Sequence, residues 1–125
     1  MSVIDITSKS QFDELLKSHP YVALQAHATW CGPCKAISPL YTKNATEKLA
    51  AEGAAEKLAF AKFDTDEVPD LAFELGIRSI PAFFFFENKD KVDTVTGANP
   101  GALKARIEKM SEEANKNTFS TTENF

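Results

Sequence analysis

Two cysteines separated by two residues are the part of this sequence best suited to chemistry. Cys31 and Cys34 are the only cysteines among the 125 residues. Two thiols at this spacing can close a disulfide when they lie at the start of a helix. The helix N-terminus also lowers the pKa of such a thiol, because unpaired amide groups and the helix dipole stabilise its thiolate. The pair therefore predicts thiol–disulfide exchange.

The neighbouring residues suggest a role for each thiol. Gly32 lets the backbone of a partner approach closely, and Pro33 sets a helical φ without losing a hydrogen-bond donor. Cys31, which we expect to be the more exposed, is predicted to attack a substrate disulfide. Cys34 is predicted to attack the resulting mixed disulfide and release the reduced substrate. Trp30 precedes the pair and offers an apolar contact surface.

A zinc site is the main alternative for two cysteines at this spacing. Structural zinc takes four ligands, and the two histidines, His19 and His27, both precede the cysteines without a matching spacing. An inert structural pair is disfavoured because structural thiols seldom lie where a strand passes into a helix. We therefore predict no metal and no cofactor other than a redox-active Cys31–Cys34 disulfide.

Composition and charge exclude several classes of function. Hydrophobic residues make up 43% of the chain and charged residues 26%, which is typical of a globular domain. The net charge is −4, and lysine and arginine form no cluster, which argues against nucleic-acid and membrane-surface partners. The longest apolar run, residues 80–86, is too short to cross a bilayer. The first residues show no signal-peptide pattern, so we expect a cytoplasmic protein.

The cysteine pair lies between a predicted strand and a long predicted helix. Residues 21–28 form a nearly continuous apolar run, typical of a strand buried on both faces. Residues 33–51 show helical spacing, with Pro39 predicted to kink the helix. Further along, the pattern predicts a turn at 52–56, a strand at 58–63, a short helix from 69, a strand at 80–87, a hairpin turn at 88–91, a return strand at 92–96 and a helix from 100.

The complete order of elements is β-α-β-α-β-α-β-β-α. Strands separated by helices predict parallel pairs, and the final hairpin adds an antiparallel strand. The fold class is α/β, a central mixed sheet flanked by helices on both faces. We place the domain at residues 1–114 and assign residues 115–125, which are polar and lack a pattern, to a disordered tail.

The segment around the cysteines, Trp-Cys-Gly-Pro-Cys-Lys at residues 30–35, resembles the active-site motif of the thioredoxin family. A second segment, residues 76–81, resembles the part of that family that ends in a cis-proline. Lys62 and Gly97 match in order, and the similarity extends over residues 3–110. The resemblance implies the thioredoxin fold.

The resemblance also implies which residues bind substrate. Pro81 is the expected cis-proline packed against the cysteine pair, and Ile80 is expected to offer backbone hydrogen bonds to an extended substrate. Gly97 and Ala98 are expected to complete an apolar surface around Trp30. The full set of predicted substrate-binding residues is Trp30, Gly32, Pro33, Ile80, Pro81, Gly97 and Ala98.

Family members receive electrons from a thioredoxin reductase and pass them to disulfide-containing proteins such as peroxiredoxins. The resemblance therefore implies these partners, a role in electron transport and cell redox homeostasis, and a protein-disulfide reductase. We expect a monomer.

Three residues near the motif depart from the family pattern or are affected by a departure. Gln25 occupies the position of a buried aspartate, and an amide cannot accept a proton at neutral pH. We therefore expect Cys34 to lose its proton less efficiently or by another route, unless Gln25 is simply a tolerated polar core residue. Lys62, which lacks the aspartate as a partner, is expected to point to solvent or to have a lowered pKa. His27 is either packed and neutral or part of a proton relay.

Two alternatives to a general reductase stay open. One is a specialised thioredoxin-like protein with low general activity because of Gln25. The other is a non-catalytic docking module, which is disfavoured because docking requires neither thiol.

Overall fold

Strands and helices follow one another along the chain largely as the sequence predicts. The computed structural model describes residues 2–123. In chain order, the elements are β1 (Ile4–Asp5), α1 (Lys9–Ser18), β2 (Tyr21–His27), α2 (Gly32–Leu49), α3 (Ala54–Lys57), β3 (Leu58–Asp64), α4 (Pro69–Glu74), β4 (Ala82–Glu87), β5 (Asp90–Thr96) and α5 (Pro100–Glu123).

The five strands form one mixed sheet in the order β1-β3-β2-β4-β5. Central strand β2 runs parallel to β3, with Tyr21 opposite Leu58 and His27 opposite Asp64. It runs antiparallel to β4. The predicted α/β class and the predicted mixed sheet are confirmed.

Side chains on the two faces of the sheet belong to two separate cores. On one face, Tyr21 and Ala23 of β2 pack with α2 and α5. On the other face, Val22 and Leu24 pack with α1 and α4. The four consecutive phenylalanines of β4 alternate between these cores, which confirms that β4 is buried on both faces: Phe83 and Phe85 lie in the first, Phe84 and Phe86 in the second.

The direction of β4 differs from the parallel pairing that helix-separated strands suggest. The connecting helix α4 has six residues and is about 9 Å long, whereas the seven residues of β2 span about 23 Å. So short a helix does not carry the chain back along the sheet. The chain therefore enters β4 at the edge where β3 ends, and β4 runs antiparallel to β2.

Two other local predictions need correction. Residues 52–56 were expected to form only a turn, but α3 begins at Ala54, after Gly53 at a φ of +77°. The last helix is also longer than expected, because α5 continues past residue 114 to Glu123. No glycine or proline lies between 102 and 123 to stop it. Residues 124 and 125 lie outside the described residues, and a division into domain and tail stays a prediction.

Tyr41 fastens α2 to the sheet. Its side chain is fully buried, and its hydroxyl lies 3.0 Å from the Ala23 carbonyl oxygen and 2.9 Å from the Ala61 carbonyl oxygen. These carbonyls belong to β2 and β3, so one side chain fixes the helix against two adjacent strands. Burial raises the pKa of Tyr41, which keeps the hydroxyl protonated and able to donate.

We expect Tyr41→Phe to lower the free energy of unfolding by about 1–2 kcal/mol, because buried carbonyls lose their donor. Urea denaturation measures this change. Tyr21→Phe is the matched control, since the buried Tyr21 hydroxyl has no hydrogen-bond partner among the described residues. Equal decreases in the free energy of unfolding of the two variants would contradict a stabilising role for the Tyr41 hydrogen bonds.

Candidate active site

Cys31 occupies the N-cap position of α2. Its backbone is extended, at φ −86° and ψ 108°, and its sulfur accepts a hydrogen bond from the Cys34 amide at 3.2 Å. Pro33 lies in the first turn, where a missing N–H leaves no hydrogen bond unmade. The sulfur of Cys31 therefore takes the place that a serine or aspartate oxygen holds at an ordinary N-cap, at the positive end of the helix dipole.

Cys31 and Cys34 are joined by a disulfide, with their Cα atoms 5.3 Å apart. Both residues are buried: Cys31 is 4% exposed and Cys34 is 2% exposed. The expected difference in exposure is therefore small. Because so little of the pair is exposed, the surrounding surface determines which partners can reach it.

The segment before β4 lies against the cysteine pair. The Ile80 carbonyl oxygen is 3.8 Å from the Cys31 sulfur, and Ile80 packs against the buried cluster that Ala28 forms with the two cysteines. The peptide bond between Ile80 and Pro81 is cis, as the family resemblance implies, and Pro81 is buried. The carbonyl of Ile80 is thus placed where an extended partner could meet it beside the sulfur.

The turn between β5 and α5 forms the next part of the same surface. The Gly97 amide donates a hydrogen bond of 2.8 Å to the Pro81 carbonyl, and Gly97 has a φ of +83° that favours glycine. Ala98 follows and is exposed. Contacts therefore run from Cys31 through Ile80 and Pro81 to this turn, which brings these predicted residues together.

Trp30, the residue before Cys31, is a further exposed part of this surface. Its side chain is 69% exposed, and its indole Nε1 donates a hydrogen bond of 2.8 Å to the Asp66 carboxylate. Gly32 and Pro33 are also exposed. Asp66 was not predicted as a site residue, although it follows Lys62 in the order that the family resemblance gives.

Among the described residues, no cluster of three or more potential metal-ligating side chains is present. Within the same residues, no helix is long and apolar enough to cross a membrane.

A thioredoxin family model matches residues 3–109. The thioredoxin of Malassezia sympodialis is 43% identical, over 82% of this chain and 92% of that protein. The chain belongs to the thioredoxin family. As a thioredoxin with the cysteine pair intact, it is a thiol–disulfide oxidoreductase.

Other relatives and solved structures agree. Thioredoxin-like protein 1 of Schizosaccharomyces pombe is 43% identical over 91% of this chain, although the chain spans only 38% of that relative. The structure of Plasmodium falciparum thioredoxin matches with a TM-score of 0.78 at 37% identity, over 86% of this chain and 98% of that one. A structure described for thiol resolution in yeast mitochondrial 1-Cys peroxiredoxin by the glutathione and thioredoxin systems matches at 30% identity, with a TM-score of 0.75, over 86% and 94% of the two chains.

Gln25 is linked through Ser38 to the first turn of the active-site helix of this thioredoxin. The residue is 1% exposed, and its Nε2 donates a hydrogen bond of 2.8 Å to the Ser38 hydroxyl. Ser38 in turn donates a hydrogen bond of 2.6 Å to the Cys34 carbonyl. Gln25 therefore helps to orient the turn that carries Cys34. Ser38 was not predicted, although a serine four residues after Cys34 is well placed to bond back to its carbonyl.

Lys62 and His27 lie on the same face of the sheet as Gln25. Lys62 is the register partner of Gln25, is half-buried, and forms no ion pair with any described residue. Burial lowers the pKa of His27, against the opposing effect of Asp64. Its Nε2 is buried without a hydrogen-bond partner among the described residues. These observations favour the packed, neutral histidine.

We expect Ser38→Ala to lower the free energy of unfolding by about 1–3 kcal/mol, because the buried Gln25 amide loses its acceptor. Urea denaturation of the oxidised protein measures the loss. Thr42→Ala, at an exposed position one turn further along α2, is the matched control and should change stability by less than about 0.5 kcal/mol. Equal stability of the two variants would show that the Gln25–Ser38 bond contributes nothing.

His27 should make folding weaker in acid. Its folded pKa lies below the ordinary 6.5, so as the pH falls through 6.5 the unfolded chain binds a proton first. The free energy of unfolding therefore decreases below that pH. We expect His27→Gln to lose less stability than the wild type between pH 7.5 and pH 5.5 in urea denaturation. Parallel losses in the two proteins would contradict the assignment.

Proposed function

We propose that this protein is a general thioredoxin that reduces disulfide bonds in other proteins. The observation that carries the proposal is the Cys31–Cys34 disulfide at the start of α2, with the Ile80 carbonyl beside the Cys31 sulfur. The N-terminus of α2 can stabilise a thiolate at Cys31. The Ile80 carbonyl is suited to accept a hydrogen bond from the backbone of an extended polypeptide.

The first step begins from the reduced protein. The Cys31 thiolate attacks one sulfur of a substrate disulfide, a bond forms between Cys31 and that sulfur, and the substrate S–S bond breaks. The second substrate sulfur leaves as a thiolate and takes a proton from water, as does the other substrate sulfur when the next step releases it. The N-terminus of α2 stabilises the attacking thiolate through the Cys34 amide and the helix dipole.

The second step closes the protein disulfide. Cys34 loses its proton and attacks the Cys31 sulfur, which re-forms the Cys31–Cys34 bond and releases the remaining substrate thiolate. The substrate has then gained two electrons and two protons. The Gln25 amide cannot accept the proton that Cys34 loses. We therefore assign this proton to water in a groove of about 850 Å³, which Cys34 lines together with His27 and Ser38. In this step Gln25 serves as a positioning residue.

Substrate binding is proposed for the surface around the pair. Ile80 contributes its carbonyl, Pro81 shapes the segment, and the remaining residues contribute apolar or backbone contact. The proposed substrate-binding residues are Trp30, Gly32, Pro33, Ile80, Pro81, Gly97 and Ala98.

The proposed partners follow from the family. A thioredoxin reductase would return the Cys31–Cys34 disulfide to the dithiol, and substrate proteins such as peroxiredoxins would oxidise it again. The similarity to a structure described for thiol resolution in a yeast peroxiredoxin supports the second partner. We further propose a cytoplasmic monomer that serves electron transport and cell redox homeostasis.

Reduction of insulin disulfides, driven by NADPH and a thioredoxin reductase, tests the proposal. We expect turnover comparable to that of a thioredoxin that carries the usual buried aspartate. Negligible turnover by a protein whose Cys31 still reacts with a thiol probe would reject a general reductase and favour a specialised one.

Mixed-disulfide trapping tests the docking alternative independently. We expect Cys34→Ser to accumulate covalent complexes with substrate proteins, because the resolving thiol is gone, and Cys31→Ser as the matched control to form none. A protein that bound the same partners equally well without either sulfur would be a docking module.

A further inference from the structure

A second exposed aromatic side chain lies close to Trp30. Phe73 of α4 is 89% exposed, more than any other large apolar side chain in the described part of the chain. The other exposed large apolar side chains there are Ile4, Trp30 and Val92. A single exposed apolar residue needs no explanation. Phe73 and Trp30, however, line the same groove, and the two aromatic side chains together form an exposed apolar patch.

This groove, which we call the Phe73 groove, leads to the attacking sulfur. Its volume is about 490 Å³, a size that suits side-chain or ligand binding. Trp30 and Phe73 line it together with Ile77 and Ile80. Because the Ile80 carbonyl lies 3.8 Å from the Cys31 sulfur, the groove is continuous with the proposed substrate surface.

One positive charge lies at the groove without an internal partner. Arg78 lines the groove, is exposed, and forms no ion pair with any described residue. The nearby carboxylate of Asp66 already accepts the indole N–H of Trp30. The guanidinium of Arg78 lies beside apolar groove residues. Such a site is complementary to a partner segment in which a carboxylate is next to an apolar side chain.

We propose that the Phe73 groove binds a large apolar side chain of the substrate protein next to the disulfide under attack, while Arg78 pairs with a neighbouring carboxylate. This inference rests on the proposed function, because the groove derives its role from the disulfide to which it leads. The occupant is an extended segment of a substrate protein. The protein therefore selects disulfides that are flanked by an apolar and an acidic residue.

Two disulfide-containing peptides, identical except for one position, test the apolar contact. One carries Leu-Glu beside the attacked cysteine and the other carries Ser-Glu. Stopped-flow oxidation of the pre-reduced protein measures both rates without a reductase. We expect the wild type to favour the leucine peptide by roughly tenfold, the usual effect of one buried anchor side chain. Phe73→Ser should bring this ratio close to one, and Phe73→Leu should restore most of it.

Val92→Ser is the matched control. Val92 is an exposed apolar residue of β5, 49% exposed, and does not line the groove. The variant should keep the wild-type preference. A loss of preference in Val92→Ser equal to that in Phe73→Ser would overturn the proposal.

A third peptide with Leu-Gln tests the charge. We expect the wild type to favour Leu-Glu over Leu-Gln by about threefold at low salt, as an exposed ion pair allows, and added salt to reduce this ratio. Arg78→Gln should abolish the preference. An equal preference in wild type and variant would overturn the role of Arg78.

The peptide measurements distinguish failure of the groove proposal from failure of the proposed reductase function. Reduction of all peptides at equal rates would leave the proposed reductase intact and overturn the groove. Failure to reduce any peptide or a small aromatic disulfide would reject the reductase itself. A concentration-dependent dimer that Phe73→Ser abolishes would assign the groove to a second copy of the chain and also overturn the proposal.

Discussion

Strand β2 is confined on all four sides, and the geometry of the cysteine pair depends on this confinement. It is paired with β3 on one edge and β4 on the other, and six of its seven residues are buried. A strand held in this way has a fixed register, because a slip of one residue would exchange its two buried faces. The end of β2 is therefore a fixed point from which the chain enters α2.

The position of α2 follows from two further contacts. Tyr41 bonds the middle of the helix to both β2 and β3, and the Gln25–Ser38 contact holds its first turns. The helix N-terminus is consequently aimed at Cys31 rather than left to fray. These contacts hold the helix against the sheet, while the helix dipole and the Cys34 amide act on the sulfur at its N-cap.

The sequence was most informative where signals are local. The cysteine spacing, the buried run before it and the proline between the cysteines are all within a few residues, and together they predicted the strand, the helix and the redox pair. Alternation was not needed for β4, because a run of four phenylalanines already indicates burial on both faces. The resemblance to a family added the cis bond before Pro81, which no local pattern dictates.

Interactions between distant residues were not predictable in the same way. The Gln25–Ser38 bond joins residues 13 apart, and the Trp30–Asp66 bond joins residues 36 apart. The direction of β4 depends on how far α4 travels in space, and α3 is too short for a periodic pattern to reveal.

Gln25 also has a consequence for the balance between stability and rate. A buried carboxylate carries a desolvation penalty that only a well-matched partner offsets. A glutamine bonded to Ser38 fills the same depth of core without a charge. The neutral amide at this depth supplies no internal base for Cys34, and it avoids the desolvation cost that a carboxylate would carry there.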